Sequence, residues 1–211
     1  MPIEAVLFDF GGVILSSPFE AFAVYEARSG LPDGFIRRLN STDPDTNAWA
    51  QLERSELDLA GFVAAFEAEA AREGHEVDGW GVIQALRGEV RPEMVEVVRR
   101  CAERFKTGLL TNNFVSGDDG AGMAADPEIK AILDLFDVIV ESSRIGVRKP
   151  SPEFYERACA DLTIEPSQAV FLDDLGINLK PAAAMGMTTI KVVTPEQAIA
   201  ELEPIVGIHL R

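Results

Sequence analysis

Five short apolar runs, each closed by polar or turn-forming residues, constrain this chain more than any other feature. They occupy residues 4–10, 107–110, 137–140, 169–172 and 188–193. Runs this short that are apolar throughout, rather than alternating, suit strands covered on both faces. Each is followed by turn residues and then a helical pattern, the arrangement of a parallel sheet between helix layers.

One interval breaks the rhythm. A crossover between parallel strands needs a dozen or more residues, yet nearly a hundred separate Phe10 from Thr107. The intervening pattern is helical: Phe19, Phe22, Ala23 and Glu26 mark a first segment, with further segments at 34–39, 46–54 and 60–71. Asp58 stands where it would cap the fourth, and Pro92 falls in the first turn of the helix that leads back to the sheet. The expected fold is therefore an α/β, three-layer α/β/α Rossmann-like parallel sheet core with an inserted helical cap subdomain. Its expected boundaries are 1–15 and 91–211 for the core and 16–90 for the cap, with Ser16 and Ser17 as small hinge residues. The stretch VSGDDGAGMAADP at 115–127 reads as a mobile loop after the second strand.

Composition excludes several classes of function. With 19 Lys plus Arg against 35 Asp plus Glu, the 211-residue chain carries −16 at pH 7 and shows no basic cluster. Such a charge repels phosphate backbones and anionic headgroups, so neither nucleic acid nor a membrane surface is an expected partner. No apolar stretch approaches a membrane span and the N-terminus lacks a signal-like pattern, which makes a cytoplasmic protein the expectation. Cys101 and Cys159 lie in helical patterns without metal-ligand spacing and read as buried, reduced thiols.

In an open parallel sheet, ligands bind beyond the carboxyl ends of the strands. The polar residues expected there are Asp9 after the first strand, Thr111 and Asn112 after the second, Lys149 after the third, and Asp173 and Asp174 closing the fourth. Adjacent carboxylates at the end of an apolar strand repel one another unless a cation compensates. A carboxylate nucleophile, a hard divalent cation on carboxylates, a hydroxyl and amide pair and a lysine together suit transfer of an oxyanion-rich group, with phosphoryl the natural candidate.

Four segments carry a resemblance: FDFGGVI at 8–14, LLTNN at 109–113, GVRKPSPEFYERA at 146–158 and FLDDLGINLKPAAAMGMTTIKV at 171–192. In order and spacing they resemble the haloacid dehalogenase superfamily of hydrolases, and VFLDDLGINLKPAAAMGM at 170–187 resembles its branch containing the N-terminal phosphatase-like domain of soluble epoxide hydrolase. The match covers the core from both ends and leaves the cap unassigned. The resemblance implies that Asp9 is the nucleophile that becomes an aspartyl phosphate. It likewise implies that Thr111 and Asn112 bind the transferred phosphoryl oxygens and that Lys149 neutralises nucleophile and phosphate. Asp173 and Asp174 would hold Mg²⁺ with Asp9 and the Gly11 carbonyl. A small phosphorylated molecule is the implied substrate.

The chain departs from that pattern at Gly11, where phosphatases of the superfamily carry a second aspartate that protonates the leaving group. Such acid–base help is worth about 10²–10⁴-fold. The expectation is a preference for acyl, aryl or anomeric sugar phosphates, whose leaving groups need little protonation, unless a cap carboxylate supplies the proton. Two other readings stay open. A 2-haloacid dehalogenase needs neither that acid nor a metal, but has no use for the Asp173–Asp174 pair. A binding or regulatory domain would keep the fold with little turnover, a reading to which Gly11 and Arg148 beside Lys149 both lend themselves. Trp49 and Trp80 read as packing residues, His75 and His209 as surface residues, and Gly186 as a helix end. Lys180-Pro181 stands where the resemblance implies a helix start near the site, with a structural role equally open. No pattern specifies an oligomeric state.

Overall fold

Strands β1 (Ala5–Phe8), β2 (Lys106–Thr111), β3 (Val138–Glu141), β4 (Ala169–Asp173) and β5 (Thr188–Lys191) pair in parallel throughout, in the order β3-β2-β1-β4-β5. The computed structural model describes residues 2–86, 88–112 and 126–211. Two compact units emerge, one of residues 1–16 and 89–211 and the other of residues 17–88. From β1 the chain runs outward to β2 and β3, then returns to the other side of β1 for β4 and β5. The strand order thus reverses between β1 and β4, where this architecture opens a crevice at the carboxyl ends.

Alternation along β1 shows why both faces are covered. Val6 and Phe8 face one layer, which holds Met94, Val97, Val98 and Cys101 of helix α6 (Pro92–Ala102), Ile129 and Ile132 of α7 (Pro127–Leu133), and Ile199 and Leu202 of α11 (Pro195–Val206). Ala5 and Leu7 face the other, built from Phe154, Tyr155 and Ala158 of α9 (Pro152–Leu162) and Leu179 and Ala182 of α10 (Gly176–Ala184). A short helix, α8 (Ser142–Ile145), follows β3 directly. The central strands β1 and β4 are buried at every position, the burial their unbroken apolarity predicts. β5 departs from that expectation. As an edge strand, with Thr188 and Lys191 exposed, it buries only Ile190, because no further strand pairs with it.

The second unit holds α1 (Pro18–Ser29), α2 (Phe35–Ser41), α3 (Ala48–Glu53), α4 (Leu59–Arg72) and α5 (Gly79–Ala85). Trp49 organises its interior, with ring centroids 5.8 Å from Phe22, 5.2 Å from Phe62 and 6.3 Å from Phe66. Asp58 caps α4 by accepting the Gly61 N–H at 2.7 Å. Helix α5 has no counterpart among the helical segments read from the sequence. Its seven residues include Gly79 and Gly81, which dilute any helical pattern. What starts it is Asp78, whose side chain accepts the Trp80 N–H.

Three smaller expectations are corrected. Trp80 does not pack away, since it is 48% exposed. His75 is half-buried rather than superficial, its ring edge-on to Phe35 at 4.7 Å. Lys180-Pro181 lies inside α10, which starts at Gly176. The missing Pro181 N–H falls opposite the carbonyl of Ile177, a residue 62% exposed, so water can donate to that carbonyl in the N–H's place. Both cysteines are free and buried, and burial pushes the Cys101 thiol up to about 12 and the Cys159 thiol up to about 11. The loop expected at 115–127 lies, up to residue 125, outside the described residues, as does Asn113. Asp126 caps α7 and Pro127 opens it. No helix among the described residues is long and apolar enough to cross a membrane.

Candidate active site

β1 delivers Asp9 to the reversal point of the sheet. The Asp9 N–H donates to the Leu172 carbonyl at 2.9 Å, which extends the β1–β4 ladder one residue beyond the strand and fixes where the carboxylate emerges. That carboxylate is 8% exposed. Its Oδ1 accepts the Phe10 N–H at 2.7 Å and lies 2.9 Å from Lys149 Nζ. Burial pushes the Asp9 carboxyl up, against the pull of Lys149, and the charges of Asp173 and Asp174 raise it further, to about 8.

Lys149 sits at the centre of the cluster and is 1% exposed. Besides Asp9, its ammonium donates to Asp173 Oδ2 at 2.7 Å and lies 5.4 Å from the centre of the Phe171 ring. Burial alone would lower its pKa, but the two carboxylates outweigh burial and hold it above the ordinary lysine value. Its backbone is gripped as firmly: Asn112 Nδ2 donates to the Lys149 carbonyl at 2.9 Å and Asn112 Oδ1 accepts the Lys149 N–H at 2.8 Å. Both ends of the Asn112 amide are thus engaged with the lysine. Thr111, the last residue of β2, is buried beside it.

Asp173 ends β4 and is fully buried. Its Oδ1 accepts the Leu175 N–H at 2.7 Å and Asn178 Nδ2 at 3.1 Å, while its Oδ2 accepts Lys149 and, at 3.0 Å, Asn178 Nδ2 again. Asn178 is held in turn by α9, because the Tyr155 hydroxyl donates to its carbonyl at 2.7 Å. Asp174 lies against the turn after β1. Gly12 there has a left-handed φ of 79°, and a Cβ on it would fall 2.3 Å from Asp174 Oδ2. Only glycine tolerates both that φ and that approach.

The three carboxylates Asp9, Asp173 and Asp174 each offer an oxygen within 4.8 Å of the others. The Lys149 ammonium pairs with two of them, Asp9 and Asp173. Hard oxygen donors at this spacing suit a small divalent cation such as Mg²⁺, which keeps several waters and takes one or two carboxylates. Both Asp173 oxygens already accept two hydrogen bonds each.

Three residues of this arrangement escape a reading of strand ends: Asn178, Tyr155 and Arg91, whose Nη1 donates to the Gly12 carbonyl at 2.7 Å. The spacing of five between Asp173 and Asn178, across the start of a helix, is the one signal that could have found the first.

A model of haloacid dehalogenase-like hydrolases matches residues 3–186. Acyl-CoA dehydrogenase family member 10 of Mus musculus is 32% identical over 98% of this chain and 19% of its own length. Bifunctional epoxide hydrolase 2 of Sus scrofa is 30% identical over 100% of this chain and 40% of its own. The chain thus spans less than half the length of either relative. A sesquiterpene phosphatase of Aspergillus oryzae is 24% identical over 97% of both chains. Among solved structures, a HAD family enzyme of Bacteroides thetaiotaomicron in complex with magnesium and inorganic phosphate superposes with a TM-score of 0.62 at 20% identity, over 91% of this chain and 96% of its own. The L-2-haloacid dehalogenase of Xanthobacter autotrophicus superposes with a TM-score of 0.63 at 18% identity, over 99% and 89%. Identities this low establish the fold. On the family match, which spans most of its length, the chain belongs to the haloacid dehalogenase-like hydrolases.

Proposed function

We propose that this hydrolase is a Mg²⁺-dependent phosphohydrolase of a small phosphorylated metabolite, working through an aspartyl phosphate at Asp9. The observation that carries the reading is the seating of Asp174 on Gly12, which brings a third carboxylate oxygen within 4.8 Å of Asp9 and Asp173. A halide-displacing site has no use for that acidic cluster, and the superposition on a dehalogenase speaks only to the fold. The phosphatase names of full-length relatives and the magnesium and phosphate in a solved neighbour support the same direction.

When bound by Asp9 and Asp174, with the Gly11 carbonyl, the cation would neutralise charge on the phosphoryl oxygens. The chain's own residues do the rest. Asp9 attacks phosphorus with the carboxylate oxygen not held by Lys149, the bond to the leaving oxygen breaks, and that oxygen takes a proton from solvent water. Water then splits the aspartyl phosphate, returning the carboxylate and releasing inorganic phosphate. Lys149 keeps Asp9 in place and opposes the charge of both nucleophile and phosphoryl group. Asp173 and Asn112 hold Lys149 from its two ends, and the Thr111 hydroxyl contacts the phosphoryl group. Gly11 brings no acid, so acyl, aryl and anomeric sugar phosphates are the favoured substrates.

A panel of such phosphates and of alkyl phosphates, with Mg²⁺, tests this against Asp9→Asn. The variant should lose turnover, and undiminished turnover would remove Asp9 from its role. Gly11→Asp should raise alkyl-phosphate turnover relative to aryl-phosphate turnover by about 10-fold or more. An unchanged ratio rejects the missing-acid argument. A wild type inert to the whole panel would favour a binding domain.

A further inference from the structure

We propose that Arg91 is a positioning residue of this site, holding the turn that carries Gly11 and Gly12 in the conformation that seats Asp174. The inference rests on the reading that Asp9 and Asp174 hold a cation, and it assigns a role to a side chain 79 residues away from the turn in sequence.

The turn after β1 is a single helical loop, in which the N–H groups of Ile14 and Leu15 both donate to the Phe10 carbonyl at 2.9 Å. Gly12 sits inside it with φ at 79° and its Cα against the Asp174 carboxylate. The rotation of this peptide and the place of that carboxylate are therefore set together: a shift of a few tenths of an ångström in one displaces the other. The Arg91 guanidinium caps the Gly12 carbonyl at 2.7 Å. A charged donor makes that hydrogen bond stronger than a neutral one would be.

Arg91 is itself anchored. Its N–H donates to the Ile14 carbonyl at 2.9 Å, Leu15 bridges Val90 in antiparallel fashion, and the Ser16 N–H donates to the Glu89 carbonyl at 2.7 Å. The Glu89 N–H donates back to Ser16 Oγ at 2.8 Å. Residues 14–16 and 89–91 thus form a short ribbon at the two places where the chain leaves and re-enters the sheet-bearing unit. From this ribbon the Arg91 side chain reaches the site turn. The charges that act on Asp9 are those of Lys149, Asp173 and Asp174, so Arg91 works through the geometry of Gly12 rather than through the ionisation of the nucleophile. Outer partners of metal-holding groups typically contribute 10- to 100-fold to metal affinity.

The test is a Mn²⁺ titration of the whole protein, read by the electron paramagnetic resonance of the free ion. Arg91→Met should bind Mn²⁺ about 10-fold more weakly than wild type, equivalent to ~1.4 kcal/mol. Arg91→Lys, which retains a cationic donor, should recover part of the loss and also covers the case in which the methionine variant folds poorly. Ser16→Ala, which removes the Glu89 bond and leaves Arg91 intact, should bind as wild type does. Wild-type affinity in Arg91→Met overturns the proposal, as does a Ser16→Ala loss equal to that of Arg91→Met. Absence of Mn²⁺ binding by the wild type is a different outcome, which sinks the cation reading and this inference with it.

Discussion

Asp9 shows how far burial and a partner can pull against each other at one residue. Lys149 stands 2.9 Å away and favours the carboxylate, yet burial and two neighbouring acids push the carboxyl up to about 8. The metal-free protein therefore stores an electrostatic penalty that depends on pH. An unfolded Asp9 ionises near the ordinary value of 3.8. Folded, it keeps its proton until about pH 8, so the stability that the protonated form provides is full below 3.8 and is lost as pH rises from there to about 8. Relative to Asp9→Asn, the metal-free wild type should lose melting temperature steadily between pH 5 and 8. Parallel curves for the two proteins over that range would show that Lys149 wins the contest instead. Because a cation must displace that proton, Mg²⁺ should also bind more tightly as pH climbs toward 8.

At the scale of elements, the acidic residues of residues 17–88 do structural work that their charge alone does not suggest. Glu26, buried in α1, accepts the N–H groups of Gly34 at 2.8 Å and Ile36 at 2.7 Å, and so closes the start of α2 in place of a capping residue. Glu69 accepts the Ala48 N–H at the start of α3, and Glu67 accepts the Gly79 N–H at the start of α5. Helix N-termini leave unpaired N–H groups and a partial positive charge that a carboxylate satisfies. Glu26→Ala strips two donors of their partner in a buried place and should destabilise the protein by about 2 kcal/mol. Asp58→Ala removes an exposed cap and should cost about 1 kcal/mol. Urea denaturation of both variants checks the order, and an equal or reversed cost would mean that water reaches the start of α2.

For the whole molecule, the net charge of −16 and a phosphate-binding site make opposite demands. The candidate site gathers three carboxylates within 4.8 Å of one another, and a phosphate placed beside them meets like charge until a cation joins the site. Inorganic phosphate should accordingly bind at least about 10-fold more weakly without Mg²⁺ than with it, a difference of ~1.4 kcal/mol that calorimetric titration resolves. Metal-independent binding of equal strength would place the phosphate away from the acidic cluster.

How much of this was legible depended on whether a feature is local. All five strands are legible because each is a short apolar run, and only the burial of β5 departs, because an edge strand obeys a different rule. Helix α4 was legible from its cap and its periodicity, whereas α5, diluted by two glycines, depends on Asp78 and Glu67 to start it. The placement of polar residues at strand ends follows from chain direction alone, since every strand of a parallel sheet ends on the same edge.

Periodicity and chain direction are properties of short stretches, and the α/β architecture, the inserted helical segment and the identity of the polar residues at the strand ends follow from them. What each of those residues does with its atoms depends on contacts made across the fold. Asn112 spends its amide on the backbone of Lys149, Asp173 spends both oxygens on Lys149, Leu175 and Asn178, and Gly12 leaves room for Asp174 while Arg91 holds its carbonyl. Several of these contacts join residues 24 to 79 positions apart. A hydrogen bond depends on a few tenths of an ångström that no spacing along the chain encodes.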